Sequence, residues 1–464
     1  VFLPDLVVRS GRVLTLQGTR PAAIHIRNGR IIGVLPFDDV PAGCPTDEAA
    51  DAVVMPGVVD TNVHVGATAR DGGDRFEVAT RAAAAGGVTT LVDTPGGGSP
   101  PATTVAALEA TRAAAEGHCF VDVAFWGAVA PGHERDIAPL ADAGVLGFAC
   151  TLIALPFAEF PPVSDADLQI VMPGLTRIGA RLLVHAELPG PIEQAALTQP
   201  TRRQWSERIP GLSRASRRYT TYLDRRPKAA ENDAVSLLIQ LCRAHQTRTH
   251  VLRLSSSDTL APLFHARAGG LPITAETCPH YLSFVAEEVP DGATSFKTAP
   301  PIRERENREF LWAALAGGLI QMVVSDHSAS PAAIADRGAR DFLSAWSGVA
   351  SLQLSLPATW TGAHGRGYTL DQVASWMCRA PALLAGLSHK GSIEAGNDAD
   401  LIVFDPDAQF TVDARSVPPQ HLPTPYLGRT LRGVIHRTYL RGLPIFCREK
   451  NVAPQPRGRL LAGR

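Results

Sequence analysis

Side chains able to exchange protons, carry charge or bind metal collect at the C-terminal ends of a series of apolar, strand-like runs. In chain order these ends carry Asn62 and His64, Asp93, Ala149, His185 and Glu187, Arg253, Thr277 and Cys278, and Asp326 and His327. Histidine titrates near neutral pH, and histidine and aspartate both serve as proton carriers and metal ligands. Arginine keeps its charge at any relevant pH and offers no lone pair. A single histidine at a strand end is as readily a packed structural residue. Several strands delivering polar groups to one end is the pattern of an active site on a parallel barrel.

Convergence of those ends requires the strands to form a ring. Eight strands are predicted at 58–65, 89–93, 121–126, 144–150, 181–187, 249–255, 272–277 and 322–326. Ala- and Leu-rich helical stretches lie between them, among others at 77–85, 103–116, 165–179, 229–244 and 305–316. Strict alternation predicts an α/β protein with a parallel sheet, and eight strands close naturally into a (β/α)8 TIM barrel. The two chain ends read as short strands instead. Asn28-Gly29 between the runs 23–27 and 30–34 marks a hairpin, and 400–404 and 433–440 are further strands. The expected division is a small β-sandwich domain built from residues 1–55 and 389–464 around a barrel of residues 56–388.

Composition narrows the partners. Of 464 residues, 45% are hydrophobic and 19% charged, enough to bury a large core. With 44 basic and 45 acidic residues the net charge is −1, which points to no nucleic acid and no membrane surface. The arginine doublets 202–203, 217–218 and 225–226 read as a solvated helix face. The seven cysteines are odd in number and form no CxxC pair. That argues against a disulfide framework or a thiolate zinc site and fits a cytoplasmic protein. No basic segment with a following apolar run opens the sequence, and no apolar stretch reaches bilayer-spanning length.

Longer motifs carry a resemblance. Met55-Pro56-Gly57-Val58-Val59-Asp60, the run 80–90, Glu276-Thr277-Cys278-Pro279-His280-Tyr281-Leu282, Pro300-Pro301-Ile302-Arg303, Ser325-Asp326-His327-Ser328 and the run 391–401 resemble the cyclic amidohydrolases. That family includes allantoinase, dihydropyrimidinase (hydantoinase) and dihydroorotase. Ala345-Trp346-Ser347-Gly348-Val349 and Pro425-Tyr426-Leu427-Gly428-Arg429-Thr430 favour its allantoinase branch. The resemblance spans nearly the whole chain in order. It implies a metal site of His-x-His on the first strand, a carboxylated lysine on the fourth, single histidines on the fifth and sixth, and an aspartate on the eighth. This sequence keeps His64, His185 and Asp326 at those positions but carries Asn62, Ala149 and Arg253 at the others.

A methyl group cannot bridge two ions, and a guanidinium repels a divalent cation. The expectation is therefore no cofactor, with a single divalent metal on His64, His185 and Asp326 as the alternative. Arg253 could instead bind a carboxylate or enolate oxygen through two hydrogen bonds, while His64, His185 and Asp326 move protons. The leading expectation is a metal-independent acid–base reaction (elimination, isomerisation, cyclisation or condensation) on a small carbonyl or cyclic amide compound. The alternatives are a catalytically inactive scaffold or partner subunit, in which Arg253 merely pairs with Asp326, and a one-metal cyclic amide hydrolase that cleaves a C–N bond. An aspartate beside a guanidinium is expected to stay ionised.

Asn62, Arg70, Ala149, Cys278, His250, Thr298, Ala299 and Pro300 are the expected substrate-binding residues. His327 is a supporting candidate, and the glycine-rich run 95–100 and the apolar run 155–162 are expected to border the pocket. The substrate is expected to be a small molecule, and the resemblance implies a homodimer or homotetramer.

Overall fold

The structure is a computed structural model that describes residues 3–65, 74–96, 101–155, 161–198, 215–328, 341–449, 451–452 and 455–463. Arg70, the arginines at 202–203, and parts of the two expected pocket-bordering runs lie outside the described residues.

Eight parallel strands close into the expected barrel. In order they are Val58–His64, Val88–Asp93, Asp122–Phe125 with its continuation Gly127–Ala128, Phe148–Thr151, Arg181–His185, Arg248–Leu252, Ile273–Thr277, and Met322–Val323 with its continuation His327–Ser328. Closure comes where His327 and Ser328 pair in parallel with Val63 and His64. The fifth and sixth strands align His185 with Leu252, and the fourth and fifth align Thr151 with His185. These strands are buried along nearly their whole length, which explains why they read as continuous apolar runs and not as alternations. Val92, Ala124, Trp126, Leu146, Ala149, Leu183 and Leu252 pack together in one apolar cluster.

Most of the longer helices that cover the outside do so by burying one apolar face. Lys228–His245 buries Ala234, Val235, Leu238, Leu241 and Cys242, spaced three and four apart. Asp165–Arg177 starts at a capping box between Ser164 and Asp167.

The chain ends meet in one nine-stranded sheet. Val53–Pro56 pairs antiparallel with Leu401–Thr411, Leu401 opposite Pro56, and Leu6–Thr15 pairs with Gly18–Arg27. The hairpin turn falls at Asn28 (φ 50°) and Gly29 (φ 77°), the two left-handed positions a tight turn of this kind requires. Lys390 ties this sheet to the barrel: its Nζ lies 2.6 Å from Asp122, 2.9 Å from Asp398 and 2.6 Å from Asp400.

Two strands differ from expectation. The third and eighth are each broken in two. In the eighth, Asp326 adopts a left-handed backbone with φ 48°, which interrupts the ladder and turns the chain before pairing resumes at His327. Among the described residues, no helix is long and apolar enough to cross a membrane.

Candidate active site

The mouth of the barrel gathers four residues of the sequence-level set. Arg253, just past the sixth strand, donates from Nη2 to His64 Nε2 at 3.1 Å. Its Nη1 forms an ion pair with Asp326 Oδ1, also at 3.1 Å. His64 Nε2 and Asp326 Oδ1 are 3.8 Å apart. All three side chains are buried. Because Arg253 can only donate, His64 Nε2 must accept, so the proton of this ring sits on Nδ1 and points at the Thr94 carbonyl, 3.2 Å away. Burial and the guanidinium push the pKa of His64 down to about 3, which keeps the ring neutral.

Asp326 departs from expectation. Burial raises its pKa to about 7, with Arg253 opposing and Glu276 assisting. Removal from water outweighs one neighbouring cation, so this carboxylate gains a proton near neutral pH. Cys278 stands alongside: its sulfur, a His280 ring nitrogen and an Asp326 oxygen all lie within 4.8 Å of one another. Burial drives the Cys278 thiol well above its usual pKa.

His185 belongs to a second group. Its Nε2 lies 2.9 Å from Glu187 Oε2, and Arg226 grips Glu187 with Nε at 2.7 Å and Nη2 at 2.6 Å. Burial would raise Glu187, yet the Arg226 charge and the His185 bond hold it below the usual carboxylate range. With its Nε2–H directed at an anion, His185 has its lone pair on Nδ1, which has no hydrogen-bond partner among the described residues. Burial lowers its pKa to about 4, against the pull of Glu187.

The remaining candidates are placed elsewhere. Asn62 donates from Nδ2 to Glu276 Oε1 at 2.8 Å, and His250 Nε2 lies 3.0 Å from Glu276 Oε2. Both are tied to one buried glutamate below the mouth, and His250 Nδ1 turns to Thr274 Oγ1 at 2.7 Å. Ala149 belongs to the apolar cluster that includes Val92, Trp126 and Leu252. The backbone of Thr298 and Pro300 is occupied: Tyr222 Oη donates to the Thr298 carbonyl at 2.6 Å and Tyr281 Oη to the Pro300 carbonyl at 2.7 Å. Ala299 packs against Ile153 and Leu155, with Ile192 and Trp346 alongside. His327 accepts at Nδ1 from the backbone N–H of Ser351 at 3.1 Å, a structural bond.

Sequence reasoning missed three partners. Arg226 was assigned to a solvated face, but it is largely buried on Glu187. The signal was Glu187 two residues after His185, since alternate residues of a strand share a face. Glu276 and His280 stood inside a motif read for resemblance alone.

The family's two-ion arrangement does not fit these groups. Arg253 stands on both His64 Nε2 and Asp326 Oδ1. Ala149 offers no anionic oxygen, and the Asn62 amide nitrogen is committed to Glu276. Among the described residues, potential ligand atoms gather at Cys278, His280 and Asp326 and at Asp122, Asp398 and Asp400, not at His64, His185 and Asp326.

A family model described as "Amidohydrolase family" matches residues 53–442. The allantoinase of Streptomyces avermitilis is 45% identical over 99% of this chain and 98% of its own length. The allantoinase of Saccharomyces cerevisiae is 37% identical over 99% of both chains. Among solved structures, the L-hydantoinase (dihydropyrimidinase) of Arthrobacter aurescens superposes with a TM-score of 0.88 at 28% identity, covering 99% of each chain.

These likenesses correct two expectations. A metal-independent elimination, isomerisation, cyclisation or condensation is overturned: allantoinases 37 to 45% identical over nearly the whole chain support cyclic amide hydrolysis instead. Three replaced side chains are a local change, whereas the likeness runs through the whole scaffold. The expectation of no cofactor falls with it, because allantoinase and hydantoinase relatives in this family are typically metal-dependent. An unactivated amide calls for water acidified from a pKa of about 16. By family match, by near-full-length identity and by fold, the chain belongs to the amidohydrolase family.

Proposed function

We propose that the chain is a cyclic amide hydrolase that opens the ring of allantoin at a C–N bond. The observation that carries this reading is the likeness to allantoinases from end to end of the chain. The mouth geometry supports it. Hydrolysis adds water to a ring carbonyl, passes through a tetrahedral oxyanion and expels a nitrogen that needs a proton. Asp326, with a pKa of about 7, takes the proton of the attacking water and returns it to the departing nitrogen. Arg253 donates to the oxyanion. His64 holds the guanidinium in place through Nε2, and His185 offers Nδ1 as acceptor for a ring N–H. Cys278, Thr298, Ala299 and Pro300 are taken to wall the pocket, while Asn62 and His250 support it through Glu276.

The same reading takes 56–388 as the barrel unit and the two flanking segments as the β unit. It also takes the protein as a cytoplasmic homodimer or homotetramer, in keeping with seven unpaired cysteines.

The test is conversion of allantoin to allantoate by the full chain, purified without chelator and assayed with and without added zinc. Turnover is expected, and Asp326→Asn should lower it at least about 100-fold. No turnover of allantoin, hydantoin or dihydrouracil under either condition overturns the reading.

A further inference from the structure

We infer that Cys278, His280 and Asp326 form a three-ligand site for one zinc ion, displaced from the ligand positions the family uses. The inference rests on the hydrolase reading for what the ion serves, but its geometry stands apart from that reading.

Two observations carry it. The sulfur of Cys278, a ring nitrogen of His280 and a carboxylate oxygen of Asp326 lie within 4.8 Å of one another, all in buried residues. His280 is completely buried, and neither of its ring nitrogens has a hydrogen-bond partner among the described residues. A buried imidazole with both nitrogens unsatisfied is costly unless something outside the chain bonds to it. The other acidic gathering, Asp122 with Asp398 and Asp400, makes the contrast: the ammonium of Lys390 already sits 2.6 to 2.9 Å from all three.

The local sequence explains the trio. Pro279 starts the short helix Pro279–Ser283, with Cys278 as its N-cap. This turn places Cys278 and His280 beside Asp326, which sits in the break of the eighth strand. A rule that looks for CxxC pairs does not detect one thiolate with one histidine and one distant aspartate.

The donor set specifies the ion. Zinc binds sulfur at about 2.3 Å and nitrogen or oxygen at about 2.0–2.2 Å. Ligand atoms then sit about 3.3–3.7 Å apart, so side-chain shifts of about 1 Å close the trio onto an ion. A thiolate selects zinc over magnesium, calcium or manganese. Thiolate and carboxylate together neutralise the dication, so Arg253 is left as the net charge of the site. Three protein ligands leave a fourth position for water.

The test uses the full chain, stripped with chelator, dialysed against zinc and read by elemental analysis. Near one equivalent is expected for the wild type and for His64→Ala and His185→Ala. Cys278→Ser and His280→Ala should each retain less than about 0.1 equivalent with unchanged circular dichroism. No retained zinc in the wild type overturns the inference. So does zinc that survives Cys278→Ser and His280→Ala but leaves with His64→Ala or His185→Ala. Should the variants fail to fold, the wild type loaded with cobalt(II) decides alone: a thiolate-to-cobalt charge-transfer band supports the site, and its absence overturns it. Zinc on these residues without allantoin turnover would remove the hydrolase reading and leave the site standing; turnover without a thiolate-bound ion would do the reverse.

Discussion

Arg253 and Asp326 meet at 3.1 Å, and each stands on left-handed backbone, with φ of 45° and 48°. Residues other than glycine pay for that region with steric strain of about 1–3 kcal/mol each, and such residues cluster at functional sites. Arg253 follows the end of the sixth strand, and Asp326 sits in the break of the eighth. The turn in each backbone brings a guanidinium and a carboxylate into one buried mouth.

Removing the cation should expose the cost of that burial. Arg253→Met leaves Asp326 without its countercharge and His64 Nε2 without its donor. A stability loss of about 3–5 kcal/mol is expected in urea unfolding. Arg253→Lys should recover little of it, because an ammonium lacks the planar fork that reaches two acceptors in fixed directions. An unchanged unfolding midpoint in Arg253→Met would show that the pair does not form.

The bidentate grip of Arg226 on Glu187 should behave as a unit. Arg226→Met and Glu187→Gln are each expected to destabilise by about 3 kcal/mol. The double variant should lose less than their sum, with a coupling of about 1 kcal/mol or more in a double-mutant cycle. Additive losses would place the two groups apart.

Glu231 makes a pH-dependent contribution. Its Oε1 accepts the backbone N–H groups of Ser255 and Ser256 at 2.7 and 2.8 Å, which pins the loop that follows Arg253. Burial raises its pKa from 4.5 to about 7. The folded state thus holds this proton more tightly than the unfolded chain. The stability it confers is complete below pH 4.5 and is lost as pH rises through 7, roughly 3 kcal/mol in all. Glu231→Gln keeps an acceptor and removes the charge, so it should flatten this fall. Unfolding of wild type and variant at pH 6 and pH 8 checks it; equal pH dependence in both would refute the assignment.

Lys390 pairs with Asp122, Asp398 and Asp400 at once. Lys390→Met should leave the buried Asp122 and Asp400 and the half-buried Asp398 facing one another, with Arg441 on Asp122 at 2.6 Å and Arg30 on Asp398 at 3.1 Å as partial relief. A loss of about 3–5 kcal/mol is expected, seen as a lower thermal midpoint. A midpoint within a degree of wild type would count against the cluster as the tie between barrel and β sheet.

Much of the architecture was legible in the sequence. Strands such as Arg181–His185 announce themselves as apolar runs, and helices such as Lys228–His245 by their three-and-four spacing. Asn28-Gly29 fixes its turn by local sterics alone. The order of motifs was enough to place the chain among the cyclic amidohydrolases, and identity over the full length bears that out. The inferred chemistry went astray because replaced ligand positions were read in isolation from the scaffold that carries them.

These local features follow from the period of apolar residues and the conformational limits of the backbone, which neighbours in the chain determine. The state of each site group follows from residues far along the chain. Asn62 is held by Glu276, 214 residues away, and His64 accepts from Arg253, 189 residues away. Only the closed barrel decides which lone pairs are engaged, which nitrogen of His64 bears the proton and how far burial shifts Asp326. Electrostatics inside a protein depends on distance in space and exclusion of water, and neither is written in sequence spacing.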